Sequence, residues 1–214
     1  MKGSLSQAGD EFGRSAYVGL SSPYDTVTLG RQYDSVVDYI GGLEAGSQWA
    51  TYFAAHPGDL DNMNNSNRIN NAIKYTSANY SGLKFGGLYS LGGIAGQYSR
   101  NEIWSLGAGY VQGPLTLGIG YLDIIDPNFS AVGNSAQSSA TGSNFGSNVV
   151  ISGYASAKSQ KVFAAGGAYT IGAATIGGTY SNTQFKKLRG EAGVGLNPVE
   201  YTGGSAKFPN VNSI

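Results

Sequence analysis

The chain has 214 residues, among them 34 glycines and 15 tyrosines, with only 12% charged residues and no cysteine. This is not the composition of an ordinary soluble enzyme, and the missing thiols remove disulfides, thiolate nucleophiles and zinc–thiolate sites. Its 13 basic and 13 acidic residues cancel, so it has no basic footprint for nucleic acid, and no apolar run approaches the roughly 18 residues that a spanning helix needs.

Runs that alternate between apolar and small or polar residues predict eight strands. The first two, Arg14–Ser21 and Val27–Tyr33, put Arg14 in phase with Ala16, Val18 and Leu20, and Arg31 with Val27 and Leu29. Their inner and outer faces stay ambiguous, as at a subunit contact. The third, Arg68–Thr76, sets Arg68, Asn70, Lys74 and Thr76 on one parity against Ile69, Ile73 and Tyr75. In Leu83–Leu91 the residues Leu83, Phe85, Tyr89 and Leu91 oppose Lys84, Gly86 and Ser90. Ile103–Tyr110 opposes Trp104, Leu106, Ala108 and Tyr110 to Ser105, Gly107 and Gly109, and Leu115–Tyr121 opposes Leu115, Leu117, Ile119 and Tyr121 to Thr116, Gly118 and Gly120. This two-residue period gives each strand one greasy face and one small or polar face. Strands at about Lys161–Tyr169 and Ala173–Ser181 are fainter, because alanine and glycine fill both faces.

The connections alternate in length. Short links at Ser21–Asp25, Ser77–Gly82, Gln112–Pro114 and Thr170–Gly172 separate long ones at Asp34–Asn67, Leu91–Glu102, Asp123–Gln160 and from Asn182 onward. Tight turns on one side and long loops on the other are the habit of a membrane barrel. Lipid holds no water for backbone amides, so strands cross it only in a closed barrel, and closure makes a lumen. The parity carrying Arg68, Asn70, Lys74, Thr76, Ser90 and Ser105 prefers water, and a wet interior follows. The expectation is therefore an all-β, antiparallel transmembrane β-barrel.

The connection 34–67 stands apart. It carries Asp38, Glu44, Asp59 and Asp61 among apolar anchors, and a loop folded into the lumen would set these acids against Arg31, Arg68, Lys74 and Arg14 on the wall, a transverse field of the kind that selects ions by sign. The bland alternatives are strand-end arginines held at the interface and solvated loop acids. His56, the sole histidine, excludes a histidine-rich metal site, and Trp49, Tyr52 and Phe53 are expected to dock the loop. Gly107–Gly113 only superficially matches a nucleotide-binding glycine pattern, since a turn rather than a helix follows it. No nucleophile stands beside a base, so no catalytic residue and no cofactor is expected, and enzyme is the least favoured class.

Four stretches resemble the trimeric Gram-negative general porins, especially the neisserial and Burkholderia-type branch: Glu11–Ser22, Val27–Asp34, Arg68–Tyr75 and Gly113–Gly118. The resemblance implies a barrel of about 16 strands, assembled as a homotrimer in the outer membrane, whose third external loop folds inward toward wall arginines. It implies a passive channel for ions and small hydrophilic solutes, with outer-membrane lipid around it. By that analogy Arg31 and Arg68 match wall positions. The family opens with a signal peptide and earlier strands and closes on a strand ending in an aromatic residue; neither is visible at Met1–Ser6 or Asn210–Ile214, which reads as a fragment lacking its first and last strands. A surface-exposed binding or adhesion barrel, suggested by the Ser/Asn-rich long loops, is the competing function, and a secreted β-sandwich a weaker third.

Overall fold

The computed structural model describes residues 13–93, 95–96, 100–131, 144–145 and 151–188. Within them, eight strands form one antiparallel sheet in chain order: β1 (Ala16–Ser21), β2 (Asp25–Gln32), β3 (Ile69–Ser77), β4 (Leu83–Ser90), β5 (Ile103–Gln112), β6 (Leu115–Ile125), β7 (Ser159–Ile171) and β8 (Ala174–Lys186). All-β architecture and strand count follow the sequence pattern. The boundaries differ most at β7 and β8, which pair without a break from Ser159↔Lys186 to Ile171↔Ala174. Continuous ladder hydrogen bonds hold the backbone extended there even where alanine, glycine and asparagine blur the alternation.

Tight turns join the hairpins on one side. At the first, the Ser22 hydroxyl accepts from the Tyr24 and Asp25 amides, both at 3.1 Å, a local cap that closes the link without further chain. At β5–β6, Gly113 supplies the positive φ of 56° that a two-residue link between Gln112 and Leu115 demands. The long connections all lie at the other end, as in a barrel with tight turns beneath and loops above.

The two faces are sorted by burial. One carries Leu29, Ile73, Phe85, Leu106, Ile119, Phe163 and Ile176, all exposed. Against water such a surface would cost roughly 25 cal/mol per Å² of apolar area; against hydrocarbon it costs nothing. Aromatic rings gather at both ends of this face: Tyr80 and Phe85 stack at 6.2 Å near the turns, and Trp104 meets Tyr121 at 5.2 Å toward the loops. Rings at two levels flanking an apolar band are what two membrane interfaces select. Among the described residues no helix is long and apolar enough to span a membrane.

The opposite face is covered by the chain itself. Val36, Ile40 and Met63, from the connection between β2 and β3, form one core with Ala72, Leu88, Ile103, Leu122, Ile124, Val162 and Ala164 of the strands. The core therefore lies between a loop and a sheet rather than between two sheets.

One parity needs correction. Asn71 sits at φ 52°, and the β2–β3 register shifts between Gly30 and Gln32. This bulge leaves Ile69 and Ala72, three positions apart, both buried. Arg68 and Asn70 are thus out of phase with Lys74 and Thr76, and the single charged face read along Arg68–Thr76 is two short faces joined at an irregularity.

Candidate functional site

The connection 33–68 is laid across the sheet by a short helix, α1 (Ser35–Tyr39). Asp34 starts it: one carboxylate oxygen accepts from the Val36 amide at 2.7 Å and the Val37 amide at 3.3 Å, and the other accepts from Asn62 Nδ2 at 2.6 Å. One buried side chain thus caps the helix and ties the entry of the loop to its exit. Burial pushes the Asp34 carboxyl up to about 6, with Asn62 and the Val36 amide opposing.

The helix fits because the strands beneath it carry almost no side chains. A Cβ built on Gly107 would lie 2.6 Å from Tyr39 Cδ2, one on Gly109 3.1 Å from Tyr39 Cδ1, and one on Gly120 2.7 Å from Ile40 Cδ1. The Tyr39 ring lies on this bare backbone; burial pushes its hydroxyl up to about 12. Ser35 is pinned to β5 by its amide and its hydroxyl, each 3.0 Å from Ser105 Oγ. Sequence alone marks these glycines as a small face but not as a seat, since the partners lie dozens of residues away.

The far half of the loop is an acidic hub. Asp61 is buried, ion-paired with half-exposed His56, and accepts from Ser181 Oγ of β8 at 2.5 Å and the Met63 amide at 3.3 Å. Burial would raise the Asp61 carboxyl, but the hydrogen bonds of His56 and Ser181 outweigh it and hold it below its ordinary value. The same bond to Asp61 pushes His56 upward against its own burial. Asp59 accepts from the Asn64 amide at 3.0 Å and the Ser66 amide at 2.9 Å. Glu44 is buried with neither oxygen hydrogen-bonded, and burial pushes its carboxyl up, opposed by His56. Gln160 Nε2 of β7 adds a second tether, donating to the Leu60 carbonyl at 2.5 Å.

Of the residues singled out from sequence, Asp38 and Lys74 are brought together as an ion pair between α1 and β3, and Lys74 Nζ also donates to the Tyr33 carbonyl at 3.0 Å. Glu44, Asp59 and Asp61 gather in the hub. Arg14 and Arg68 flank Tyr33: their Nε atoms donate to its hydroxyl at 2.8 and 3.3 Å, and their guanidinium carbons lie 6.0 and 5.6 Å from its ring centre. Arg31 donates to the Gly13 carbonyl at 2.8 Å and to Asn70 Oδ1 at 2.5 Å. No described ion pair joins Arg14 or Arg68 to the loop acids. Trp49 and Phe53, expected to dock the loop, are 80% and 100% exposed in this chain; Val36, Tyr39, Ile40 and Met63 do that work. The side chain of Tyr52 lies outside the described residues, as do Met1–Phe12, the stretch 132–143 and everything beyond Leu188.

The comparison that decides the family covers almost the whole chain: residues 2–206 match the model of the Gram-negative porin. The chain belongs to the Gram-negative porin family. As a porin it resides in the outer membrane, and its exposed face is the lipid-facing one. No curated protein sequence matches it. Among solved structures it is similar to the anion-selective porin from Comamonas acidovorans, with TM-score 0.53 and 19% identity over 79% of this chain and 46% of that one. The chain thus spans about half the length of that porin, and the likeness is one of fold.

Proposed function

We propose that this chain supplies the wall and the constriction loop of a passive, water-filled channel for ions and small hydrophilic solutes. The observation that carries the reading is the loop 33–68 seated on the glycine face of the sheet. A connection folded back over the face opposite the lipid narrows whatever lumen that face encloses, and it does so with fixed charges. In this reading Asp38 and Lys74 form a charge pair at the edge of the passage, and the full porin assembles as a homotrimer.

In this reading the fixed charges of the loop and the wall set which sign of ion passes more readily. Lys74 offsets Asp38 and His56 offsets Asp61, whereas the bonds that Asp59 accepts come from neutral backbone amides. In this reading Arg14 and Arg68, which flank Tyr33, add positive charge at the loop-side rim. The test is the reversal potential of the full porin in a planar bilayer under a salt gradient. Arg68→Gln and Arg14→Gln should each move it toward cations, and Asp38→Asn should move it toward anions. A porin that inserts but does not conduct overturns the channel; unchanged selectivity in Arg68→Gln and Arg14→Gln removes the arginines from the filter.

A further inference from the structure

Two like charges are held together beside the root of the loop. Arg14 precedes β1 and Arg68 precedes β3, and each brings its Nε to the Tyr33 hydroxyl, at 2.8 and 3.3 Å. Two donors on one oxygen stand no farther apart than those two bonds laid end to end, and guanidinium groups at such a separation repel. The phenol reconciles them. Its oxygen accepts from both, and its ring centre lies 6.0 and 5.6 Å from the two guanidinium carbons, within reach of the attraction between a cation and an aromatic face. The main chain of the same residue holds a third cation, since the Tyr33 carbonyl accepts from Lys74 Nζ at 3.0 Å. Arg31, two positions earlier, donates elsewhere, to the Gly13 carbonyl and to Asn70. The residue after Tyr33 is Asp34, which caps α1 and starts the loop. One uncharged residue between strand and loop thus touches three basic side chains drawn from separate parts of the chain.

We propose that Tyr33 is a positioning residue for ion selection: its phenol gathers the Arg14 and Arg68 guanidinium groups at one point of the loop-side rim and so sets what those two charges contribute to the channel's ion preference. The inference rests on the channel reading above. An electrostatic field weakens with distance and with screening by salt. Two charges fixed at one point therefore act on a passing ion as a unit, whereas two unheld arginines spread theirs over the volume their long side chains sweep. The type of acceptor matters as well. A carboxylate in the place of the phenol would bind both groups more strongly but would cancel one of their charges. A neutral hydroxyl on an aromatic ring holds the cations by two kinds of contact and leaves their sum unchanged. Without the hydroxyl, repulsion parts the two groups and frees each to turn toward other acceptors.

The test is the reversal potential of the full porin in a planar bilayer under a salt gradient, read for single variants and for their combinations. Tyr33→Phe keeps the ring and changes no charge, yet it should move the potential toward cations, by less than Arg14→Gln/Arg68→Gln does. Tyr33→Leu, which removes the ring too, should move it further than Tyr33→Phe. Added to Arg14→Gln/Arg68→Gln, Tyr33→Phe should produce no further shift, because it acts through those two groups. Added to Asp38→Asn, which leaves the phenol and both arginines in place, it should produce its full shift. A Tyr33→Phe shift that persists without the arginines would assign the effect to the loop and overturn the positioning role. The two readings also fail differently. An arginine double variant with the parent's potential removes the filter and this proposal with it, whereas a shifted arginine variant beside an unshifted Tyr33→Phe removes the proposal alone.

Discussion

Gly107→Ala is the smallest change that probes the seat of the loop. A methyl there would stand 2.6 Å from Tyr39 Cδ2, 3.0 Å from Ser35 Cβ and 3.1 Å from the Ser35 carbonyl oxygen, whereas ordinary contact begins at 3.4 Å. The ring must retreat by about 0.8 Å and the first turn of α1 by a few tenths of an ångström, distances at which overpacking costs roughly 1–3 kcal/mol. Retreat is blocked on the neighbouring positions, because Tyr39 also lies on Gly86 and Gly109. The displacement is therefore passed to the loop. A glycine-to-alanine change also removes chain entropy from the unfolded state, worth about 0.4–1 kcal/mol in the stabilising direction. Gly178→Ala on β8, with nothing within 4 Å of its added carbon, measures that gain alone. Unfolding of the full porin in denaturant should place Gly107→Ala about 1–3 kcal/mol below Gly178→Ala, and single-channel recording should show an altered conductance in the first only. Equal stability and equal conductance in the two variants would mean that the loop does not rest on this face.

The tether to β8 should depend on pH. His56 is raised by Asp61, so its contribution is complete below its unfolded value of 6.5 and fades as pH climbs through the higher folded value; Asp61 is lowered, so its contribution is complete above 3.8 and fades as pH falls through the lower folded value. Protection of the loop amides, taken relative to the intrinsic exchange rate at each pH, should be greatest between those two pH values, and His56→Gln should flatten the alkaline side of that profile. Ser181→Ala should lower the protection of the same amides at every pH; protection unaltered by it would show that the Ser181–Asp61 bond does not hold the loop to β8. At the bulge, Asn71→Val should cost about 1–2 kcal/mol of stability because a branched side chain opposes φ 52°, while Asn71→Gly should be close to neutral; comparable unfolding midpoints for both would show that the residue does not hold that conformation.

The strand pattern was legible wherever one face is greasy and the other small, and it failed where that contrast fails. β7 and β8 extend several residues past their alternating cores because pairing with neighbours, invisible to a local window, fixes the backbone. The phase slip at Asn71 was illegible for a related reason: a bulge conserves the composition of a strand and changes only its count. The loop 34–67 announces its singularity through length and acids, but its anchors are not the residues that its composition suggests. Trp49 and Phe53 are the bulkiest apolar groups in it, but a large ring has no seat on this sheet unless the strands below are bare, and the glycines lie under Tyr39. The acids are visible in the sequence and their partners are not, since Ser181 stands 120 positions from Asp61 and Gln160 stands 100 from Leu60. Arg14, Arg31 and Arg68 stand out by residue type and spacing, while the phenol that gathers Arg14 and Arg68 carries no signal of its own.

Those long separations set an order of assembly. Each hairpin of the sheet closes over a handful of residues in the tight turns, so pairing within hairpins spreads through local steps. The loop cannot complete its tethers until β7 and β8, far downstream in the chain, have taken their places. Its final position is therefore set only once those two strands are paired.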